Sequence, residues 1–351
     1  MAYHRDMPGD WVNITTDTPV GGVIVTPSRL RPLRLRVPGK LAWLAVTPFA
    51  AWAVARIGGL ERGSFPAQIM TATPYAAAGS LLPLLLSLLS RKKAVTAVAL
   101  ATSAALGVSV LPRAFGDAPV AQAASGVPFK VMTANLFFGH GDAATVVDLV
   151  RRNRPDVLNT QELTPGAVAD LDAAGLKELM PYRLLQDEWS AAGSGIYSSH
   201  PITPLNGLFQ VIGHNMPAAR LSLPGGAQLE IVDVHTLPPL GRQVTEWTEG
   251  LRALPSGPSS GPFRILAGDF NASLDHAEMR RVVARGYRDA GDTTGNGLTP
   301  TWPANKRLPA MITIDHVLAD QRISVLGYHV YDVPGTDHRA VLTELSLPAQ
   351  R

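Results

Sequence analysis

The sequence predicts an α/β domain preceded by three transmembrane helices, and three observations carry that reading. Three apolar stretches, at about residues 41–59, 69–89 and 94–112, are each long enough to cross a bilayer. From residue 129 onward the pattern changes to alternating strand-like and helix-like runs. Short polar clusters close several of those runs, at Asn135, Gln161-Glu162, Gly268-Asp269-Phe270-Asn271, Ile314-Asp315-His316 and Thr336-Asp337-His338.

Residues 1–40 are polar, with Pro and Gly scattered among Arg29, Arg31, Arg34, Arg36 and Lys40, a composition that suits a disordered tail. Charge is split along the chain. Residues 1–116 hold 12 of the 31 Lys and Arg but only 4 of the 28 Asp and Glu, a net of +8, and residues 117–351 net −5. The high sequence pI therefore belongs to the front end. Nonspecific nucleic-acid binding rests on Lys and Arg neutralising phosphates, so a net-acidic domain disfavours nucleic acid as a partner. With no cysteine in the chain, disulfides, thiolate catalysis and cysteine zinc sites are excluded.

A hydrocarbon core of ~30 Å needs roughly 20 helical residues, which each apolar stretch supplies. The second and third carry no charge, and the first only Arg56, whose side chain is expected to snorkel to the membrane surface. Six Lys and Arg precede the first stretch and Arg91-Lys92-Lys93 separate the second from the third, whereas the loop between the first two has only Arg62, offset by Glu61. The positive flanks belong inside. A multi-pass plasma-membrane protein follows, with a cytoplasmic N-terminus (1–40), a three-helix anchor (41–112) and an extracytoplasmic domain (129–347). Arg91-Lys92-Lys93, the third apolar run and Ala121-Gln122-Ala123 also resemble a signal peptide with its cleavage site, but the internal position favours plain linker over residues 113–128.

Within the domain, Phe129–Phe137 reads as a strand and residues 144–153 as a helix with Val146, Val147, Leu149 and Val150 on one face. Val157–Gln161 is a short apolar run. Thr164-Pro165 opens a second helix that Val168, Leu171 and Leu179 continue. Gly195–Ser198 and Leu229–His235 are strands, and Val244, Trp247, Leu251 and Leu254 fall at helical spacing. After a surface loop at Pro255–Pro262, Phe263–Leu266 is a buried strand, and Asp275 to Glu278 resembles a capping box. Strands around 312–318, 323–331 and 340–346 close the domain.

The polar clusters supply chemistry. Asp269 and Asn271 alternate around Phe270, so both can face one way while Phe270 packs. Carboxylate and carboxamide oxygens are the hard ligands that Mg²⁺ prefers, with Mn²⁺ as a substitute. Phosphoester hydrolysis needs a cation on a nonbridging oxygen, a base for the attacking water, and an acid or dipole for the leaving group. Asp, His and Asn at fixed strand ends can provide all three.

Val131-Met132-Thr133-Ala134-Asn135, Thr160-Gln161-Glu162, Val232-Asp233-Val234-His235, Gly268-Asp269-Phe270-Asn271, Ile314-Asp315-His316 and Thr336-Asp337-His338 resemble, in this order, the motifs of the endonuclease/exonuclease/phosphatase superfamily. The resemblance spans residues 129–347 and implies a four-layer α/β sandwich, two packed sheets flanked by helices. It implies Glu162 as principal metal ligand with Asn135 and Asp337 beside it. Asp269 would orient or deprotonate the water, and Asn271 would hold the phosphate or that water. His338 would contact the phosphoryl oxygen, positioned by Asp315, and His235 would assist the leaving group.

There are two departures. Ser199 and His200 stand where many members have a basic residue, and no carboxylate partner for His235 is evident. His140, His200, His214, His276 and His329 match no motif and read as surface or packing residues, and His316 is expected to pack or cap.

The tethered arrangement, with Thr301-Trp302-Pro303-Ala304 before Ile314-Asp315-His316-Val317-Leu318, further resembles actinobacterial members associated with teicoplanin-type glycopeptide resistance, regarded as polyprenyl pyrophosphate phosphatases. The expected substrate is a phosphate or pyrophosphate on an envelope lipid such as undecaprenyl pyrophosphate. A surface nuclease, a phospholipase C-like hydrolase and a non-enzymatic membrane scaffold are the alternatives, and no protein partner is expected.

Overall fold

The computed structural model of the protein describes residues 37–117, 126–223, 228–304 and 309–348. Most of the expected tail and the middle of the expected linker, including Ala121-Gln122-Ala123, lie outside the described residues.

Three helical segments, Gly39–Gly58, Thr73–Ser90 and Lys93–Ala114, are long and apolar enough to cross a membrane. The first is α1 (Gly39–Gly58). A separate short helix, α2 (Ser64–Met70), precedes the second segment, which comprises α3 (Thr73–Gly79) and α4 (Leu81–Ser90). The second apolar stretch thus begins a few residues later than the sequence suggests. The third segment is α5 (Lys93–Val110), extended by a tight turn of helix at Leu111–Ala114.

The rest forms two packed mixed sheets flanked by helices. The first sheet has the strands β1 (Val127–Asn135), β2 (Val157–Gln161), β3 (Tyr182–Gln186), β4 (Ser194–Ser198), β11 (Ser324–Asp332) and β12 (Arg339–Leu347), in the order β11-β12-β1-β2-β4-β3. The second has β5 (Ile202–Pro204), β6 (Ala218–Ser222), β7 (Gln228–His235), β8 (Phe263–Asp269), β9 (Tyr287–Asp289) and β10 (Asp315–Asp320), in the order β5-β6-β7-β8-β10-β9. Helices α6 (Ala143–Asn153), α7 (Pro165–Ala173) and α8 (Leu176–Leu179) cover one outer face, and α9 (Val244–Ala253) and α10 (Ala277–Ala284) cover the other. A last short helix, α11 (Ala290–Thr293), joins β9 to β10.

Strand parity explains the layering. Val131, Val157, Ile231, Ile265 and Val317 face inward and make the core between the sheets, whereas Met132, Leu158, Val232, Leu266 and Leu318 face outward under the helices. Each fully buried aliphatic side chain contributes about 1.5–3 kcal/mol, which favours this register over a one-residue slip. Counting by twos from the inward core residues reaches Asn135, Gln161, His235, Asp269 and Asp315. The alternation that builds the core therefore also delivers the polar side chains to one end of the cleft between the sheets.

Two parallel pairs, β1 with β2 and β7 with β8, occupy the middle of their sheets. Gly268 pairs with Val234, and a Cβ on Gly268 would lie 2.0 Å from the Val234 carbonyl oxygen. A Gly268→Ala substitution must push the two strands apart, and an overpacking cost of about 1–3 kcal/mol is expected, read as a lowered unfolding midpoint of the detergent-solubilised chain.

Several expectations need correction. Thr164 does cap α7, accepting from the Ala167 N–H, but the helix ends at Ala173. Gly175, with φ of 99°, turns the chain there, so Leu179 belongs to the separate α8. Asp275 is no helix cap. The N-cap of α10 is His276, and the buried Asp275 carboxylate pairs with Arg56 Nε at 3.0 Å and Arg113 Nη2 at 2.6 Å. Arg56 accordingly does not snorkel, and Arg113, assigned to the linker, is fixed. Strands β3, β5, β6 and β9 are too short or too mixed in pattern to be read from the sequence.

The helical segments meet the sandwich beyond this cluster as well. Ser64 Oγ donates to the Pro239 carbonyl at 2.8 Å, Tyr75 Oη donates to the Met311 carbonyl at 2.7 Å, and His276 Nε2 lies 2.7 Å from the Ala67 carbonyl.

Candidate active site

The end of β1 supplies Asn135, whose side chain is buried. Its Nδ2 lies 3.2 Å from Glu162 Oε1 and 3.0 Å from Asp269 Oδ2, so one carboxamide joins the two sheets. Glu162 follows β2 in a left-handed conformation with φ of 53°, and its Oε2 accepts the Phe138 N–H at 2.8 Å. Asp269 ends β8, and its Oδ1 accepts the Asn271 N–H at 2.8 Å. Asn271 Nδ2 donates to the Thr236 carbonyl at 2.9 Å and approaches Asp269 Oδ2 at 3.4 Å.

His338 lies between two carboxylates. Its Nδ1 is 3.0 Å from Asp315 Oδ2, and its Nε2 is 3.7 Å from Asp269 Oδ2. His235 Nε2 is 3.9 Å from that same Asp269 oxygen, and His338 Nε2 is 3.9 Å from Asp337 Oδ1. Five of the eight residues named from the sequence thus meet at Asp269, Glu162 joins through Asn135, and Asp315 and Asp337 join through His338. Asn135, Glu162, Asp337 and His338 come from the first sheet and its loops, and the other four come from the second.

Strain concentrates here. Among the described residues six non-glycine residues have positive φ, and four of them, Phe137, Phe138, Glu162 and Asn271, are at this site. A left-handed non-glycine residue costs about 1–3 kcal/mol, and such residues persist where surrounding contacts hold them.

The family model for the Endonuclease/Exonuclease/phosphatase family matches residues 132–338, which covers every one of these side chains. The chain belongs to the endonuclease/exonuclease/phosphatase family. Members of the family are hydrolases acting on phosphoesters. No curated protein matches the chain. Similar solved structures include an endonuclease/exonuclease/phosphatase from Beutenbergia cavernae, 18% identical over 63% of this chain and 72% of that one, with a TM-score of 0.48. A mannosyl-6-phosphatase from Bacteroides thetaiotaomicron is 16% identical over 62% of this chain and 100% of its own, with a TM-score of 0.47. D. rerio TDP2, complexed with a single-strand DNA product, is 18% identical over 62% and 99%, with a TM-score of 0.49.

Electrostatics differ among the site groups. Burial raises the pKa of Glu162, opposed by the Phe138 and Asn135 hydrogen bonds. Burial also raises Asp269, with Asp315 adding to it and the His338 charge opposing. For His338 burial alone would favour the neutral ring, but Asp315 and Asp269 outweigh it and carry the pKa upward. Burial pushes His235 well below the ordinary imidazole value, and His214 and His338 push the same way. The surroundings thus favour the charged form of His338 and the neutral form of His235.

Two groups of side chains could hold a metal ion. Asp269, Asp315 and His338 each offer one ligand atom, all within 4.8 Å of one another. Without a metal, the flanking Asp315 and Asp269 favour a protonated His338 ring, which then serves as the cation between these carboxylates. The other group is Glu162, Asn135 and Asp337. Asp337 Oδ1 is buried with no hydrogen-bond partner among the described residues, and the Asp337 charge is among the influences that raise the Glu162 pKa. A buried carboxylate and a half-buried one that repel each other, the second with an orphaned oxygen, suit a hard divalent cation. Asn135 Oδ1 accepts the Phe137 N–H at 2.9 Å and retains a second lone pair.

The histidines without motifs divide. His200 pairs with Asp156 at 2.7 Å, and His316 is buried between Asp289, at 2.7 Å, and the Ala272 carbonyl, at 3.0 Å, as its packing role anticipated. His214 does not fit the packing reading, because its Nδ1 lies 3.2 Å from His235 Nε2. His235 Nδ1 is buried with no hydrogen-bond partner among the described residues. The group hydrogen-bonded to His235 is thus a second imidazole, from a loop with no sequence signal. Trp302 Nε1 donates to Asp337 Oδ2 at 3.0 Å. Gln161 and Asp233 link the sheets behind the site, 2.5 Å apart.

Proposed function

We propose that this protein is a membrane-anchored, extracytoplasmic, divalent-metal-dependent phosphoesterase acting on a phosphate or pyrophosphate carried by an envelope lipid, with undecaprenyl pyrophosphate as the leading candidate. The observation that carries the reading is the position of the phosphoester site relative to the apolar helices. Pro239, Asp275 and Met311, which meet the helical segments, lie on the loops that follow His235, follow Asn271 and precede Asp315. Arg91-Lys92-Lys93 lie at the other end of those helices, and by the positive-inside rule that end faces the cytoplasm. The domain would then stand outside, with its site near lipid headgroups.

Glu162, Asp337 and Asn135 would hold the cation, Mg²⁺ or Mn²⁺, whose chemistry is to polarise a phosphoryl oxygen. Asp269, tied to Asn135 and Asn271, orients the attacking water and takes its proton. Asn271 fixes that water or the phosphate. His338, kept charged by Asp315, donates a charge-assisted hydrogen bond to a nonbridging oxygen. His235 is neutral and buried and stands opposite as the group that assists departure of the leaving oxygen.

The test is phosphate release from undecaprenyl pyrophosphate, DNA and sphingomyelin side by side, each with Mg²⁺ and with EDTA. Release from the polyprenyl lipid, abolished by EDTA and exceeding the others, is the expected result. DNA degradation without lipid hydrolysis would make the protein a surface nuclease, and phosphocholine release would make it a phospholipase C-like enzyme.

A further inference from the structure

Strand direction places several loops at the same end of the sandwich. β1 ends at Asn135, β7 at His235 and β8 at Asp269. β4 begins at Ser194, opposite Gln161, β6 begins at Ala218, opposite Val232, and β10 begins at Asp315, opposite Asp269. The segments just after the first three strands and just before the second three therefore surround the mouth of the site.

Those segments carry most of the domain's exposed apolar surface. Among the described residues from 127 onward, exposed large apolar side chains are Phe137, Phe138, Trp189, Val211, Leu240 and Met311 at the mouth, and Val127, Tyr182 and Leu326 elsewhere. Trp189 is 81% exposed. Phe137 and Phe138 are held outward in left-handed backbone by the hydrogen bonds from their N–H groups to Asn135 and Glu162. A net-acidic soluble domain gains nothing from strained, exposed aromatic rings around a polar cleft, and a clustered apolar rim marks a contact surface.

What it contacts follows from the anchor. Met311, on this rim, accepts the hydrogen bond of Tyr75, at the start of the second apolar segment, and Leu240 follows Pro239, which accepts from Ser64. The rim is thus continuous with the place where the helical segments join the domain. We propose that the apolar rim of the active-site mouth rests in the interfacial layer of the bilayer that holds the helices, so that the cleft opens onto lipid headgroups and not onto bulk solvent. Aromatic side chains suit that layer, where one side is apolar and the other wet. The inference rests on the anchored lipid-phosphoesterase reading above and adds the surface by which the enzyme meets its substrate.

The chain has no cysteine, so single thiols can be introduced into the full-length protein without background. Phe138→Cys, Trp189→Cys and Val211→Cys, with Leu326→Cys as the domain reference and Leu85→Cys as the helix reference, are labelled with an environment-sensitive fluorophore. They are then reconstituted into phosphatidylethanolamine/phosphatidylglycerol vesicles. Quenching by spin-labelled lipid is expected to be severalfold stronger at 138, 189 and 211 than at 326. If position 85 is quenched while the three rim positions match 326, the rim proposal falls and the anchor stands. If position 85 is not quenched either, both fall. The labels report position whether or not a lipid is hydrolysed, so failure of the substrate assignment is seen separately, in the phosphate-release assay.

Discussion

Replacing Asp269 by alanine is expected to slow phosphoester hydrolysis by about 10²–10⁴-fold, the range that a positioned general base contributes. Its carboxylate meets Asn135 from the first sheet, Asn271 from its own loop, and the facing sides of His338 and His235. Among the described residues no other carboxylate touches all four. His338 keeps Asp315 as a partner in this variant, so the fold should survive, and circular dichroism of the purified chain checks that it does. Glu162→Ala should lose activity to a similar extent, but with a distinguishing signature. Adding excess divalent cation should recover part of the Glu162 loss and none of the Asp269 loss, because only Glu162 is assigned to the ion. Turnover within threefold of the wild type for Asp269→Ala would remove the residue from the mechanism.

The second large effect is expected at Asp275. Its side chain is 1% exposed and pairs with two guanidinium groups, Arg56 and Arg113, that are themselves 10% and 7% exposed. Asp275→Ala leaves both cations buried without their anion, and removing one partner of a buried ion pair costs about 3–5 kcal/mol. Because Arg56 lies in the last turn of the first helical segment and Arg113 closes the third, the loss should act at the junction between those segments and the domain. A lowered unfolding midpoint in lipid nanodiscs is the expected result, with Asp275→Asn intermediate because its carboxamide oxygen still accepts one hydrogen bond. An unchanged midpoint for the alanine variant would show that the junction is held by other contacts.

The sequence made the site more legible than its surroundings, for physical reasons. Asn135, Asp269 and Asp315 could be placed because strand alternation runs unbroken from Val131, Ile265 and Val317 into the polar cluster. That periodicity is local and visible in a short window. His214 was out of reach because it lies on a long loop, and only the closure of β6 against β7 brings it to His235. The short edge strands β5 and β9 take their structure from a single neighbour each, so their own residues carry little signal. Arg56 and Asp275 are equally opaque to a local reading. A lone arginine ending an apolar helix and an aspartate three residues before a glutamate each have an ordinary local explanation. Their partnership spans more than two hundred residues of chain.

The division of the site between the two sheets has a bearing on when the protein becomes active. Asn135 is made early and sits beside β12, the last strand, which pairs with β1 over Val127 to Thr133 and follows directly on Asp337 and His338. A chain that stops before Asp337 holds Asp269 without the facing His338 ring and lacks the Asp337 carboxylate. The site is therefore assembled only once Asp337 and His338 have joined the residues contributed by the second sheet.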